Sequence, residues 1–410
     1  MIQDEKVGLT SVPGFRAAGV EAGIKENGPD LLLLSSERGP IPAAGLFTSN
    51  KLKSAPVQIS KKHLEGRHLG AIVANSGCAN AFTGREGVRR ARQTAQYAAD
   101  ALGLKPEEVG LASTGLIGPQ LPIDKVRDGI KKAKEELSNT WEAGTEAAKA
   151  IMTTDTRVKE AAAEIESENG SNIKIGGVAK GAGMIHPDLH ATMIAIIVTD
   201  ANITPAGLRN SLQIAADESF NMTTVDRDIS PNDTVFALAN GISENDKITK
   251  KEPSKNFQNG LNEVMIELAK MIAKDGEGAE HLIEVKVEGA GSKEDARKSA
   301  RTVAGSNLVK TAIFGGDPNY GRIVTALGYS GSEFSPSRIS ISILGEEKEA
   351  PLVLKGEPLP EDSAEEAKEV MEEDEIQIYI DLDEGNESAT AWGCDLTKDY
   401  VDINSRYSEL

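Results

Sequence analysis

Apolar positions along the chain follow two rhythms. LLLLSS at 31–36 and GAIVANSG at 70–77 are short apolar runs ending in turn-forming residues, and they predict buried strands. Over 85–102, Val88, Ala91, Ala95, Ala98 and Leu102 recur at three- and four-residue steps before Gly103, which predicts a helix stopped by glycine. EEVGLAS at 107–113 predicts a short strand leading into the loop STGLIGP. Helical spacing returns near 123–137, 139–152, 205–219, 257–273, 292–303 and 361–373. Strand patterns fall at 234–239, 280–289, 338–344, 375–383 and 400–404, and the polar stretch 242–255 reads as an exposed loop. Residues 172–184 are glycine-rich and read as a flexible approach to an apolar strand that opens at Thr192. Strands and helices alternate without a strict βαβ rhythm or a fixed-period repeat. The fold class expected is therefore α/β (α+β), with layered helices and mixed β-sheets.

Composition narrows the function. With 410 residues the chain has room for two or three domains of roughly 150 residues each. Hydrophobic residues make up 39% and aromatics only 4%, so the core is expected to be aliphatic and rich in alanine and glycine. The formal net charge of −19 disfavours nucleic acid and anionic membranes as partners. Cys78 and Cys394 stand alone, outside any metal-type spacing, and point to a reducing compartment. The polar N-terminus has no signal-peptide core, and every apolar run is far below the ~18 residues of a membrane span. A soluble cytoplasmic protein is expected. No GxGxxG fingerprint or Walker loop suggests a nucleotide.

The segment KGAGMIHPDLHATMIAIIVTD at 180–200 carries the most chemistry. Ala191 precedes Thr192, which begins an apolar strand. A Thr192 hydroxyl can attack the Ala191 carbonyl to give an ester that water hydrolyses, leaving Thr192 with a free α-amine. Such an amine has a pKa near 8 (about 7.7–8.0 in model peptides) and can act as general base for its own hydroxyl. Ala-Thr ahead of a strand is common, and taken alone most such threonines only pack. LASTGLIG at 111–118 offers a second piece: the Thr114 hydroxyl and the Gly115 N–H can together hold an oxyanion. Lys180 suits a substrate α-carboxylate, Glu277 an ammonium, and Thr154 and Asn404 neutral hydrogen bonds. His186 and His190 are four apart, but Pro187 argues against a helix there and no HExxH glutamate accompanies them. Asp226, Asp228 and Asp233 lack EF-hand spacing and read as turn residues or neighbours of an active site.

In order along the chain, VPGFRAAGVEAGIK (12–25), NSGCANAFTG (75–84), ASTGLIG (112–118), AIMTTDT (150–156), KGAGMI (180–185), FNMTTVDRDISPNDT (220–234), DGEGA (275–279), VKTAIFGGDPNYGRI (309–323) and YVDINSRYS (400–408) resemble the ornithine acetyltransferase (glutamate N-acetyltransferase) family. The resemblance spans nearly the whole chain. It implies self-cleavage between Ala191 and Thr192, giving an α chain 1–191 and a β chain 192–410 that stay together and pair into a heterotetramer. It implies acetyl transfer from N-acetylornithine to glutamate through an acetyl-threonine at Thr192. Thr114 and Gly115 match the family's oxyanion positions; Thr154, Lys180, Thr192, Glu277 and Asn404 match its substrate positions. The family usually ends in a threonine five residues after the asparagine; here that position is Glu409, and Ser408 is taken as the replacement hydroxyl. HPDLHAT carries one residue more than usual before the threonine. No metal or tightly bound cofactor is implied, and acetyl-CoA enters only as an alternative donor. Two rival readings are an N-terminal-nucleophile hydrolase of aminopeptidase type and an unprocessed amino-acid-binding protein.

Overall fold

The structure is a computed structural model that describes residues 7–186, 193–360 and 362–406. Ala191, Thr192, His190 and Ser408 lie outside the described residues. The chain divides into two compact units. The first comprises Met1–Gly181, Asp188–Asp217 and Ile229–Leu268; the second comprises Ala182–Pro187, Glu218–Asp228 and Ala269–Leu410.

The first unit is built on two sheets. One is four-stranded, in the order Phe15–Val20, Leu31–Ser36, Ala71–Asn75, Val109–Ser113. The other is six-stranded, in the order His68–Leu69, Ile41–Phe47, Thr234–Ala239, Ile194–Thr199, Asn172–Lys180, Lys159–Glu166. Alternate residues of a strand point to opposite faces. Leu32, Leu34, Ile72 and Ala74 therefore pack with Ile194, Ile196, Val198, Phe236 and Leu238 in one core between the sheets. Leu31, Leu33 and Val73 point the other way, onto Ala91, Ala95 and Ala98 of the helix Gly84–Leu102 and Val126 and Ile130 of the helix Ile123–Glu136. Burial on both faces is why 31–34 is four leucines rather than an alternation. The glycine after the Gly84–Leu102 helix caps it as expected, its N–H donating to Ala99 O.

Two expectations need correction here. The glycine-rich stretch is not a flexible approach: Asn172–Lys180 is a strand, antiparallel to both Lys159–Glu166 and Ile194–Thr199. Its glycines serve close packing, since a Cβ on Gly176 would lie 2.2 Å from Gly8 O. The second correction falls in the other unit.

The second unit carries a six-stranded mixed sheet in the order Glu357–Pro358, Glu349–Leu354, Ser340–Leu344, Glu375–Asp381, Leu282–Ala290, Glu387–Cys394. Leu282–Ala290 runs parallel to Glu375–Asp381 and antiparallel to Glu387–Cys394. Residues 400–404, expected as a strand, lie in a helix, Lys398–Ser405. Thr397 caps it by accepting from Tyr400 N–H, and Asp399 sits in the first turn, where a negative charge favours a helix. Those start signals outweigh the apolar–polar alternation of YVDIN. Both cysteines are buried and unpaired, and among the described residues no helix is long and apolar enough to cross a membrane.

Candidate active site

In the first unit the polar groups gather where the parallel strands Ala71–Asn75 and Val109–Ser113 end. Beyond Ser113 the chain turns, held by the Thr114 N–H donating to Asn75 O at 2.9 Å. Thr114 is buried. Gly115 follows with φ +118°, a conformation L side chains rarely adopt. A Cβ there would meet Gly77 C at 2.4 Å and Cys78 N at 2.7 Å, so only glycine fits this turn. Among the described residues the Gly115 N–H donates to no acceptor.

Lys180 is the last residue of its strand and only 2% exposed. Its Nζ donates to Thr153 Oγ1 at 2.7 Å and to Thr114 Oγ1 at 3.5 Å, and lies 3.7 Å from Asp155 Oδ2. Asp155 is the hub of this cluster. Its carboxylate accepts from Lys159 Nζ at 2.7 Å, Gly181 N at 2.6 Å and Thr153 N at 3.0 Å. Burial alone pushes this carboxyl up. The ammoniums of Lys180 and Lys159 and those hydrogen bonds outweigh it and hold Asp155 well below the usual carboxylate range. Thr154, an expected substrate ligand, lies half-buried in the same loop, next to the Thr153 that accepts from Lys180.

Asp233 also belongs here, immediately before the strand Thr234–Ala239. Its carboxyl is fully buried, and neither oxygen has a partner at hydrogen-bonding distance among the described residues. The Met193 N–H and the Thr48 and Ser230 hydroxyls are its polar surroundings, but they stand too far off or too poorly aligned to satisfy it. Burial pushes this carboxyl well above the ordinary carboxylate range, against the pull of the Lys180 ammonium.

The second unit brings Glu277 and Asn404 together. Asn404 Nδ2 donates to Glu277 Oε2 at 2.8 Å and to Tyr400 O at 3.0 Å. Glu277 is only 8% exposed, its N–H donating to Ala182 O at 2.8 Å. A Cβ on Gly183 would lie 2.4 Å from the Glu277 carboxyl, so this glycine makes room for it. Asp226 ties the same stretch down: it accepts from the Met184 and Ile185 N–H groups and from the Tyr400 hydroxyl at 3.2 Å. The expected turn role of Asp226 is thus extended to holding 184–185. Among the described residues no three His, Cys, Asp or Glu side chains converge as a metal would need.

Sequence reasoning missed Asp155, Lys159, Thr153 and Gly183. The available signal for the first two was a lysine at the buried end of each of two apolar strands, KEAAAEIE and NIKIGGVAK, which calls for a shared counter-charge.

A cluster of hydroxyl, free backbone N–H and buried ammonium fits carboxylate-bearing substrates and acyl chemistry. The chain matches the ArgJ family over residues 16–409. It is 50% identical over 404 residues to "Arginine biosynthesis bifunctional protein ArgJ" of Symbiobacterium thermophilum, covering 98% of each chain. It is 46% identical over 404 residues to "Glutamate N-acetyltransferase" of Methanothermobacter thermautotrophicus, covering 98% of this chain and 97% of that one. A crystal structure of the arginine biosynthesis bifunctional protein from Bacillus halodurans aligns at 42% identity with a TM-score of 0.47, over 50% of this chain and 95% of that chain. With an end-to-end family match and relatives at this identity, the chain belongs to the ArgJ family.

Proposed function

We infer that this chain is an acyltransferase of arginine biosynthesis that moves an acetyl group from N-acetylornithine to glutamate. The observation that carries this reading is the convergence of Thr114, Gly115 and Lys180 at one strand-end cluster. Because Lys180 Nζ donates to the Thr114 hydroxyl, the Thr114 O–H is left to donate elsewhere. Paired with the unused Gly115 N–H it makes an oxyanion hole. Each such donor contributes on the order of 10²–10³ in rate.

Thr192 is the nucleophile. Its hydroxyl attacks the acetyl carbonyl while its α-amine takes the hydroxyl proton. The tetrahedral intermediate then expels ornithine, which leaves with that proton. The amine of glutamate attacks the resulting ester, returns a proton to Thr192 and departs as N-acetylglutamate. Lys180 holds the α-carboxylate common to both substrates, and Thr154 orients it. In its own unit, Glu277, oriented by Asn404, is matched to the ornithine ammonium. Ser408 supplies a further hydroxyl.

The α-amine arises from cleavage at Ala191-Thr192. Ile194–Thr199 lies between Asn172–Lys180 and Thr234–Ala239 in one sheet, all six of its residues buried. That interleaving supports α chain 1–191 and β chain 192–410 remaining paired; we propose further that two such pairs form a heterotetramer. We place the enzyme in the cytoplasm, consistent with its two unpaired cysteines. The chemistry runs on side chains and the Thr192 amine, so we assign it no metal or organic cofactor. Acetyl-CoA would act as a second donor.

Intact mass spectrometry tests the reading. Purified protein should appear as two chains meeting at Ala191/Thr192. N-acetylornithine should add one acetyl to the chain beginning with Thr192, and glutamate should remove it. Transfer by a single uncut chain overturns the processing. Hydrolysis of the acetyl-enzyme to acetate outrunning transfer to glutamate overturns the transferase in favour of a hydrolase.

Gly183→Ala tests the Glu277 assignment. The new methyl must displace the carboxyl it would overlap. The KM for N-acetylornithine should rise about 10- to 100-fold, the worth of one charge-assisted hydrogen bond, with kcat little changed. An unchanged KM removes Glu277 from ammonium recognition.

A further inference from the structure

Lys25 sits on a loop between the strands Phe15–Val20 and Leu31–Ser36. Such a loop would ordinarily be loose, but this one is folded round a single carboxylate. Asp30 is completely buried and accepts the N–H groups of Ala22, Ile24 and Lys25. The Asp30 carbonyl in turn accepts from Ser76 N–H at 3.0 Å. Three backbone donors on one buried carboxylate fix the direction in which Lys25 leaves the loop.

That direction is along the oxyanion turn. A Cβ on Gly77 would lie 2.8 Å from Lys25 Cγ, and Gly77 is the same glycine against which Gly115 closes. The Lys25 Nζ donates to Met152 O at 3.2 Å, its one acceptor among the described residues. The next residue, Thr153, is the one that holds Lys180 Nζ. Two ammoniums are thus anchored on consecutive residues, whose Cα atoms are about 3.8 Å apart.

Among the described residues, the Lys25 ammonium stands within electrostatic reach of the Asp30 and Asp155 carboxylates and of the Lys180 ammonium. Burial pulls the half-buried Lys25 ammonium down from its ordinary range; Asp30 and Asp155 oppose that fall, and Lys180 adds to it. A cation kept in this position, with donors to spare, calls for an anion.

We propose that Lys25 binds the side-chain carboxylate of the acidic acceptor while Lys180 binds its α-carboxylate. Two carboxylates separated by a short carbon chain match two ammoniums held on adjacent residues. Ornithine carries a cation where glutamate carries this second carboxylate. Lys25 therefore favours the acceptor over the spent donor and speeds their exchange. The inference rests on the reading that glutamate is the acetyl acceptor.

The test is steady-state transfer by Lys25→Met and Lys25→Arg in the processed enzyme, with glutamate and N-acetylornithine varied separately and glutamine as a neutral acceptor. For Lys25→Met the glutamate KM should rise about 10- to 100-fold, with the N-acetylornithine KM within about twofold of wild type. The preference for glutamate over glutamine should collapse. Lys25→Arg should restore most of that preference. Equal losses for both substrates, or an unchanged glutamate-to-glutamine ratio, overturn the assignment. A wild-type enzyme that makes no N-acetylglutamate overturns the underlying reading, and this inference with it.

Discussion

Thr192→Ala should give one uncut chain and no measurable acetyl transfer. Both losses have the same origin. Without Oγ there is no attack on the Ala191 carbonyl, so the chain stays whole and residue 192 never gains a free amine. Without Oγ there is also no atom to carry the acetyl group. Deleting the nucleophile of an enzyme whose groups act as a unit costs on the order of 10⁴- to 10⁶-fold in kcat, because the rest of the machinery has nothing to assist. The fold should survive. The strand that follows is buried along its whole length and paired on both sides, and none of that depends on a hydroxyl at 192. The thermal midpoint should therefore stay near that of wild type. Thr192→Ser should still cut and still transfer, more slowly, because serine keeps the oxygen but loses the β-branch that restricts χ1. A denaturing gel and a coupled assay for N-acetylglutamate read all three outcomes. Transfer at the native rate by the alanine variant would dismiss Thr192 as nucleophile.

The sequence revealed those parts of this picture whose signals are local. The strands at 31–36 and 234–239 were legible to the residue, because segments buried on both faces are written as unbroken apolar runs. The helix 84–102 was legible because one face of alanines repeats at helical spacing and glycine closes it. The Lys398–Ser405 helix was misread because YVDIN alternates like a strand, while the signal that decides it, the Thr397 cap, lies outside that pattern. The site divided in the same way. Thr114 and Gly115 stand in one short motif with visible chemistry. Asp155 does not: its meaning comes from Lys180 and Gly181, some 25 residues further on, which reach it only once Asn172–Lys180 has paired into the sheet. Gly183 was invisible for a related reason. Nothing in KGAGMI says that a carboxylate from residue 277 will occupy the space where its side chain would be.

Asp155→Ala should be the most damaging substitution in the first unit outside the nucleophile. The Asp155 side chain is 0% exposed, and Lys159 and Lys180 beside it are 1% and 2% exposed. Removing the carboxylate takes a counter-charge from two buried ammoniums and strips Thr153 N–H and Gly181 N–H of their acceptor. Breaking a buried pair in this way costs about 3–5 kcal/mol, since the stranded charge keeps its desolvation penalty and loses its compensation. Thermal unfolding should shift down by several degrees, and transfer should fall with it as Lys180 loses its fixed position. The pH dependence has a definite sign. The folded-state pKa of Asp155 is depressed below its unfolded value of about 3.9, so its stabilisation is fully present above that value and fades only as pH falls toward the depressed folded one. The deficit of Asp155→Ala should thus be constant from neutral pH down to about 5 and shrink under more acid conditions. Adding Lys159→Met separates stability from function. The double variant removes one of the two buried ammoniums and should recover much of the lost midpoint, yet it should not recover the KM for either substrate, because Lys180 still lacks the carboxylate that stands 3.7 Å from it. Recovery of both together would mean that Asp155 serves the fold alone and that Lys180 finds its position without it.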